Sequence, residues 1–321
     1  MSTIISTFPD IDASNKLDIV DCHHHLWDIS SNNYPWLRPV DQGGTPSHLA
    51  GDINKLKKSY LIDDYLYDTR NFNLLKSVHV QAEYDHQVND GCGEVEYLQH
   101  VADQSQYPQG IVAYANLSSP TVEHLFQKYT TAYRNVKGIR QLLNYIEGKP
   151  SLCMIDRGDY LKDQKWLEGF SLLDKYNLSY DLHVYQSQMV DAAELARQYP
   201  HTPIILDHCG LPYGGDTLFD DWKQNMAILA QQSNVSCKIS GLVMFQHNWS
   251  LSTLKPYVDY CLNIFGSKRC MFASNFPVDK LNATFDELFE AYFKLATEAG
   301  LTSEEIKQVF CQNAVNFYRL K

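Results

Sequence analysis

The sequence is poor in basic residues, in glycine and proline, and in long apolar runs. Lys and Arg number 27 against 38 Asp and Glu, which gives a net charge of −11. Because phosphate contacts need clustered cations, this balance argues against nucleic-acid binding. Gly and Pro number 16 and 12, and 44% of residues are hydrophobic, which excludes a collagen-like or disordered chain. No apolar run approaches the roughly 18 residues of a membrane span, so we expect no membrane partner.

Two further absences concern the cellular compartment. Residues 1–10 show neither a positive start nor an apolar core with a cleavage site, so the sequence predicts no secretory signal. The eight cysteines are scattered, and no Cys-x-x-Cys pair occurs. Four of them lie in or beside apolar runs, at Cys22, Cys209, Cys237 and Cys270. We interpret the eight as free thiols of a cytoplasmic protein.

Short apolar runs alternate with amphipathic segments along nearly the whole chain. Eight runs have strand length and are rich in Val, Ile, Leu or Tyr, as buried parallel strands are. They cover residues 18–25, 76–83, 110–116, 136–142, 178–184, 203–208, 235–240 and 270–274. This alternation predicts one (β/α)8 barrel domain over residues 1–321. The first connection, residues 26–73, is too long for one loop and one helix, so we expect a lid or binding loop.

Polar side chains end the predicted strands, where (β/α)8 barrels form their active sites. Residues two apart on a strand face the same way, so His23 and His25 are predicted to point inward and His24 outward. His183 and His208 end the fifth and sixth runs. We therefore predict that four histidines meet in one pocket, with other strand-end residues around them: Glu83, Arg140 on the rim, Lys238 and Asn275.

Each of these residues also has a purely structural interpretation. A single strand-end His is more often a hydrogen-bonded structural residue than a ligand. Arg140 and Lys238 could neutralise neighbouring carboxylates, and Glu83 could cap a helix. The whole set favours a functional site, because four inward histidines with Arg and Lys are costly to desolvate at one barrel mouth.

The motifs that carry these residues resemble the amidohydrolase superfamily, in particular the amidohydrolase-related branch with sugar-acid lactonases and a pyrone-dicarboxylate lactonase. Residues 21–28 read DCHHHLWD, and residues 205–212 read ILDHCGLP. Residues 237–242 and 271–278 read CKISGL and MFASNFPV, and the closing segment 313–318 reads NAVNFY. His-x-His alone is a weak signal, but these motifs in this order cover nearly the whole chain.

One position departs from this resemblance. The superfamily usually has an Asp on the eighth strand as metal ligand or base, whereas this chain has Asn275, whose amide cannot take a proton from water. Asp279 follows four residues later, but the sequence does not place it at the site. The fourth-strand Lys of binuclear members is replaced by Arg140 at the inward position.

The resemblance therefore implies at most one divalent metal ion. Zinc would be the expected metal, held by His23, His25 and His183 as three protein ligands. Because Asn275 replaces a charged ligand, the affinity should be weaker than in Asp-bearing relatives, and a metal-free site stays open. Two stoichiometric ions per chain would contradict this interpretation.

The resemblance implies a lactonase that opens a small, oxygen-rich, anionic lactone of the sugar-acid or dicarboxylate type. The catalytic set is His23, His25, His183, His208 and Asn275. In this set three histidines polarise the carbonyl, and His208 takes over as general base, since its ordinary pKa of about 6.5 suits water activation. The substrate-binding set is Arg140, Lys238, Glu83, Trp27 and Trp36; in it the guanidinium group binds a carboxylate or hydroxyl group.

Two other functions stay open at this stage. Related barrels decarboxylate aromatic or unsaturated acids with one metal ion and a sixth-strand His, and the sequence separates hydrolysis from decarboxylation poorly. Asn275 also motivates a non-catalytic binding member. The partner in each case is a small molecule, and the oligomeric state, including a homodimer, is left open.

Overall fold

The computed structural model describes residues 16–31, 33–42, 44 and 50–321. Segment 1–10, for which no secretory signal is predicted, lies outside the described residues. Eight parallel strands follow one another in sequential order around a barrel, which confirms the predicted (β/α)8 fold. They are β1 Asp18–His24, β2 Asn73–Val80, β3 Gly110–Tyr114, β4 Val136–Arg140, β5 Ser179–Leu182, β6 Ile204–Leu206, β7 Val235–Ile239 and β8 Cys270–Phe272.

Ten α-helices occur within the described ranges. They are α1 Ile62–Asp68, α2 Gly93–Ser105, α3 Val122–Ala132, α4 Gln164–Lys175, α5 Met189–Gln198, α6 Phe219–Ala230, α7 Leu251–Phe265, α8 Phe285–Glu298, α9 Ser303–Lys307 and α10 Asn313–Phe317. The first eight follow the strands one by one, and a π-helical segment, Gln308–Gln312, joins α9 to α10. No helix among the described residues has the length and apolar character needed to cross a membrane.

Side-chain caps start several of these helices at the expected residues. The Asp163 carboxylate accepts the Trp166 N–H at 3.0 Å and begins α4. Thr302 and Glu305 exchange two bonds, at 3.3 and 2.9 Å, and begin α9. Each cap satisfies backbone N–H groups that the first helical turn leaves without partners.

The strands end one to three residues before the predicted runs do. Their polar ends therefore lie in the first loop residues beyond the sheet, where side chains can face the mouth of the barrel. Near the strand starts, a separate apolar cluster fills the barrel interior, with Val20, Val78, Val112, Ile205 and Met271 packed against Tyr318 and Leu320 of the C-terminal segment. Apolar side chains therefore fill the end of the barrel near the strand starts, and polar side chains lie at the carboxyl ends of the strands.

The barrel closes between β1 and the residues that follow β8. The Asn275 N–H donates to the His23 carbonyl oxygen, and the His25 N–H donates to the Phe276 carbonyl oxygen, each at 2.7 Å. Asn275 has a φ of 55°, in the left-handed region that Asn tolerates better than most residues. The closing seam therefore brings His23, His25 and Asn275 side by side.

The long first connection lies beside the pocket, as predicted. Trp27 and Tyr60 exchange backbone hydrogen bonds at 3.0 and 2.9 Å, which folds part of the connection back on itself. The Trp36 indole N–H donates to the Ala82 carbonyl oxygen at 2.8 Å, which ties the connection to the end of β2. This part of the chain forms one wall of the pocket described below.

Candidate active site

A pocket of about 600 Å³ opens at the carboxyl ends of the strands. Eight of the ten predicted site residues line it: Trp27, Trp36, His25, Glu83, Arg140, His183, His208 and Asn275. The other two, His23 and Lys238, lie in a layer beneath it and expose no surface. His24 points away, as predicted, and stacks on Tyr65 of α1 at 4.1 Å.

The layer beneath the pocket is a buried network of two cations and two carboxylates. Lys238 Nζ bonds Asp181 Oδ2 and lies 3.1 Å from Asp207 Oδ1, and Arg140 lies 3.3 Å from Asp207 Oδ2. Burial raises the pKa of Asp181 to about 6. Burial also opposes ionisation of Asp207, but Lys238, His23 and Arg140 outweigh it and hold its pKa well below the usual range.

The structure corrects the prediction for Lys238. Its ammonium group is fully buried between the two carboxylates and does not line the pocket, which does not support a substrate-binding role. Burial lowers the pKa of Lys238, but Asp181 and Asp207 outweigh this effect and raise it. Lys238 is therefore a charged structural residue, as its alternative interpretation allowed.

Arg140 lies in the floor of the pocket, whereas the sequence predicted it on the rim. It is 4% exposed, and its guanidinium group donates to the Gln81 carbonyl oxygen and to Asp207. A guanidinium group has five N–H donors, so Arg140 can still bond one substrate oxygen. Its charge, however, is already compensated by Asp207.

His208 occupies a sharply turned backbone after β6. Its φ is 54°, and its Nδ1 lies 2.9 Å from Ser240 Oγ. A Cβ atom at position 241 would lie 2.6 Å from the same Nδ1. The observed position of the His208 ring therefore requires glycine at 241. Burial lowers the pKa of His208 to about 3, and Arg140 and Lys238 lower it further against the opposing charge of Asp207. The ring is therefore neutral at neutral pH.

The other three histidines of the cluster are also neutral. Burial is the largest cause of a pKa well below the usual value in His23, His25 and His183. The rings are close: His23 lies 4.4 Å from His208, and His183 lies 5.3 Å from His208, between ring centres. A neutral imidazole has one donor and one acceptor nitrogen, so the cluster can accept a proton without prior deprotonation.

Asn144 is a site residue that the sequence did not reveal. Its amide oxygen bonds His183 Nδ1, which makes Nδ1 the donor and leaves Nε2 as the acceptor nitrogen. Asn144 lies in the loop after β4, four residues beyond Arg140. No spacing in the sequence marks it, because a bridge between Leu142 and His183 on neighbouring loops brings it there.

Asp279 is a second such residue. It is fully buried behind Asn275, and its Oδ1 lies 2.8 Å from the Asn275 amide nitrogen. The Asn275 amide oxygen lies 3.3 Å from His25 Nε2. The sequence gave no reason to place Asp279 at the site; the short helical turn that it begins, Asp279–Leu281, does so.

The predicted ligand set His23, His25 and His183 does not fit a divalent metal ion. Among the described residues, the histidine-containing group whose ligand atoms lie within 4.8 Å of one another is His23, Asp207 and His208, without His25 or His183. His23 Nδ1 lies 3.3 Å from Lys238 Nζ, and His23 Nε2 lies 3.5 Å from Arg140. An ion at His23 would therefore stand beside two fixed cations, which corrects the predicted ligand set His23, His25 and His183.

We expect exhaustive dialysis against a chelator to leave both turnover and the unfolding temperature of this protein unchanged. A tightly bound ion stabilises a folded chain by mass action, so removing one would lower the unfolding temperature. Elemental analysis before and after dialysis, with zinc added back as the control, measures this. A stoichiometric ion whose removal abolishes turnover and whose return restores it contradicts the expectation.

Comparisons with known proteins agree with the motifs and the barrel. The family model described as Amidohydrolase matches residues 20–320. The chain is 41% identical over 306 residues to the uncharacterized protein y4mH of Sinorhizobium fredii, covering 95% of this chain and all of that protein. It is 24% identical to an L-fucono-1,5-lactonase of Burkholderia multivorans, covering 94% of this chain and 96% of that protein.

A solved structure has the same barrel. It is a Burkholderia multivorans amidohydrolase with bound zinc, with a TM-score of 0.78, 24% identity, and coverage of 94% of this chain and 99% of that chain. A divalent metal ion is typical of the superfamily, and the zinc in this relative is an example. The chain therefore belongs to the Amidohydrolase family of hydrolases, as its sequence motifs predict.

Proposed function

We propose that this chain is a lactonase that opens a neutral, polyhydroxylated lactone of the sugar type by attack of an activated water molecule. The single observation that carries the proposal is the pocket itself, in which neutral histidines meet a guanidinium group whose charge is already balanced. The 24% identical L-fucono-1,5-lactonase supports the same substrate class.

The charge of the pocket favours a neutral substrate over the anionic one that the sequence led us to expect. Arg140 is the only Arg or Lys among the described lining residues, and Asp207 neutralises it. Glu83 and Asp85 also line the pocket. Although burial opposes ionisation, hydrogen bonds from His86 and Gln81 lower the pKa of Glu83 and keep it charged. A dicarboxylate would therefore meet like charges, which typically cost several kcal/mol.

The walls suit a ring that has both apolar and hydroxylated surfaces. Trp27 and Trp36 pack edge to face at 5.5 Å between ring centres and form an apolar wall. The Glu83 carboxylate and the Asn144 amide offer polar atoms on the same lining. A sugar lactone presents carbon–hydrogen faces to such rings and hydroxyl groups to such acceptors, so it matches both kinds of lining.

The histidines supply the proton transfers of the proposed reaction. With Nδ1 bonded to Ser240, His208 offers Nε2 to a water molecule and takes its proton as the oxygen attacks the lactone carbonyl carbon. Arg140 lies in the same floor and can stabilise the developing oxyanion. When the ring oxygen leaves, it takes the proton back from His208, and a hydroxy acid is released.

We expect L-fucono-1,5-lactone and related neutral 1,5-lactones to be hydrolysed with kcat/KM at least about 10²-fold above that for 2-pyrone-4,6-dicarboxylate, because like charges repel the latter. Acid release at constant pH measures each substrate, and carbon dioxide release from unsaturated aromatic acids is followed in parallel. Preferred turnover of the dicarboxylate, or carbon dioxide release, contradicts the proposal. Binding without turnover across the whole panel favours a non-catalytic protein.

The proposal also includes the domain organisation, the cellular location and the partners of the protein. We propose one barrel domain over residues 1–321 and a cytoplasmic location, which the eight free cysteines support. A small-molecule substrate is the proposed partner, and a homodimer is one of the possible states. Light scattering on the purified protein measures the last point.

A further inference from the structure

A cluster of three cysteine thiols lies behind the turn that carries His208. Cys209 follows His208 in the turn after β6, Cys237 lies on β7, and Cys261 lies on α7. Their Sγ atoms all lie within 4.8 Å of one another, and the three residues are fully buried. None of them is among the described residues that line the pocket, so the cluster is separate from the candidate active site.

The cluster lies between the barrel and its helices. Lys238 points into the barrel, where its ammonium group bonds Asp181. Successive side chains of a strand point to opposite faces, so Cys237 points outward, toward α7. The three cysteines belong to the large apolar core that also contains the buried faces of α6 and α7. The Lys238 ammonium group is on the other side of the strand and does not balance a negative charge at the cluster.

The distances suit one atom that binds all three sulfur atoms. Each thiol is within hydrogen-bond reach of the other two. At a metal–sulfur distance of about 2.3 Å, as in zinc thiolates, three sulfur atoms around one planar centre are about 4 Å apart. Sulfur atoms within 4.8 Å of one another need only small side-chain shifts to reach this spacing. The cluster is therefore preorganised for a three-coordinate thiophilic ligand.

The number of sulfur donors argues against zinc and against an iron–sulfur cluster. Structural zinc takes four ligands, and iron–sulfur clusters take four cysteines. Cys270 on β8 lies outside the group of three, and its thiol donates to the Cys261 carbonyl oxygen at 3.4 Å. The three cysteines have no exposed surface, so solvent does not supply a fourth ligand.

Charge decides which three-coordinate thiophile fits the cluster. Three thiolates around a monovalent ion such as copper(I) carry two excess negative charges, and around zinc they carry one. An uncompensated charge in an apolar core is costly, whereas a trivalent centre with three thiolates is neutral. Trivalent arsenic has this charge and binds three sulfur ligands. In water at neutral pH it is the uncharged molecule arsenous acid, As(OH)3, which can enter a buried site when the protein opens locally.

We propose that Cys209, Cys237 and Cys261 form a binding site for trivalent arsenic, which they hold as a neutral trithiolate complex. Arsenous acid exchanges its three hydroxyl groups for the three sulfur atoms. Three As–O bonds break, three As–S bonds form, and the three thiol protons leave with the hydroxyl groups as water. No electron is transferred, and arsenic remains trivalent.

Arsenic at this site acts on the pocket through the turn after β6. His208 and Cys209 both have left-handed backbones, with φ of 54° and 51°, which residues other than glycine rarely adopt. A bond that draws Cys209 toward β7 and α7 shifts His208. Because a displacement of about 1 Å can cost about 10²-fold in rate, we expect kcat to fall up to about 10²-fold with KM little changed. This effect rests on the proposed lactonase function, whereas arsenic binding does not.

Mass spectrometry of the folded protein after incubation with arsenous acid tests the binding. Wild type should gain one arsenic atom and lose three hydrogen atoms. X-ray absorption at the arsenic edge should show three sulfur neighbours and no oxygen neighbour. The unfolding temperature should rise, because a ligand that binds the folded chain more tightly than the unfolded chain stabilises it. A second sample, refolded in arsenous acid, covers the case of a buried site that opens slowly.

Two alanine variants show whether the cluster holds the arsenic. Cys261→Ala removes the sulfur atom on α7, so it should lose both the three-sulfur complex and the rise in unfolding temperature. Cys92→Ala removes a buried thiol just before α2, outside the group of three, and is the matched control. It should bind arsenic as wild type does.

Four results would count against the site or its effects. No arsenic uptake by either sample, a complex with two sulfur neighbours, or equal uptake by wild type and Cys261→Ala overturns the proposal. Copper(I) that displaces arsenic from wild type under anaerobic conditions overturns the assignment of a trivalent ligand. Binding without loss of kcat refutes the effect on His208. If arsenic binds as expected and the lactones are not hydrolysed, the arsenic site stands and the lactonase function fails.

Discussion

Replacing His208 by alanine is expected to lower kcat about 10²–10⁴-fold, the usual effect of removing a general base. The ring lines the pocket, is neutral, and is held by Ser240 with Nε2 left for water. No eighth-strand carboxylate replaces it, because Asn275 stands there and its amide accepts no proton. Steady-state kinetics on the preferred lactone measure the effect.

Control variants distinguish the loss of the general base from a general effect on the folded protein. His201→Ala changes an exposed histidine and should leave kcat at the wild-type value. Ser240→Ala removes only the bond to Nδ1 and should cost less than His208→Ala. A nearly silent His208→Ala variant would mean that another residue activates water. If wild type is inert on every lactone and Asn275→Asp alone switches hydrolysis on, the binding function is correct instead.

The pH profile gives a second measure of the same residue. A base must be unprotonated, and the pKa of His208 is lowered to about 3, so kcat/KM of the free enzyme should show no decrease near pH 6.5 as the pH falls. Stability behaves differently. Below pH 6.5 the unfolded chain binds protons at His208 that the folded chain does not, so stability decreases as the pH falls from 6.5 toward 3. Unfolding temperatures measured in parallel distinguish the two effects.

Replacing Lys238 by methionine is expected to lower the free energy of unfolding by about 3–5 kcal/mol, the usual effect of breaking a buried ion pair by removing one partner. Methionine fills much of the same volume, so the loss reports charge more than packing. Asp181 and Asp207 would each lose a buried cation, and Arg140 can compensate only Asp207. Chemical denaturation followed by circular dichroism measures the change.

An exposed pair provides the comparison. Lys255→Met removes a half-exposed partner of Asp259 and Glu298, and surface pairs contribute about 0–1 kcal/mol. Adding Asp181→Asn to Lys238→Met removes the charge that the first change left without a partner, so part of the lost stability should return. Equal effects of Lys238→Met and Lys255→Met would show that the buried network does not hold the barrel floor.

The sequence by itself determined the barrel, the inward histidines and the family. Eight apolar runs of strand length are enough for the fold, because buried parallel strands need continuous apolar stretches. The two-residue period of a strand placed His23 and His25 inside and His24 outside, and the structure confirms both orientations. These features depend on residue patterns within single segments of the chain, so the amino-acid sequence is sufficient to predict them.

The sequence did not determine how deep each strand-end side chain lies in the barrel. Lys238 and Arg140 stand at strand ends like the histidines, yet one lies below the pocket and the other in its floor. The difference comes from partners on other strands, Asp181 and Asp207, whose distances to these cations depend on the closed barrel. Strand position predicts the direction of a side chain but not the charges it meets.

Only the tertiary structure determined which groups surround Asn275. In the sequence it is a missing carboxylate, and Asp279 is an acid with no stated place. Closure of β1 against the residues after β8 puts Asn275 beside His25, and the turn that begins at Asp279 returns a buried carboxyl group to the amide. The burial of that carboxyl group and its hydrogen bond with the amide arise only when distant segments of the chain pack together.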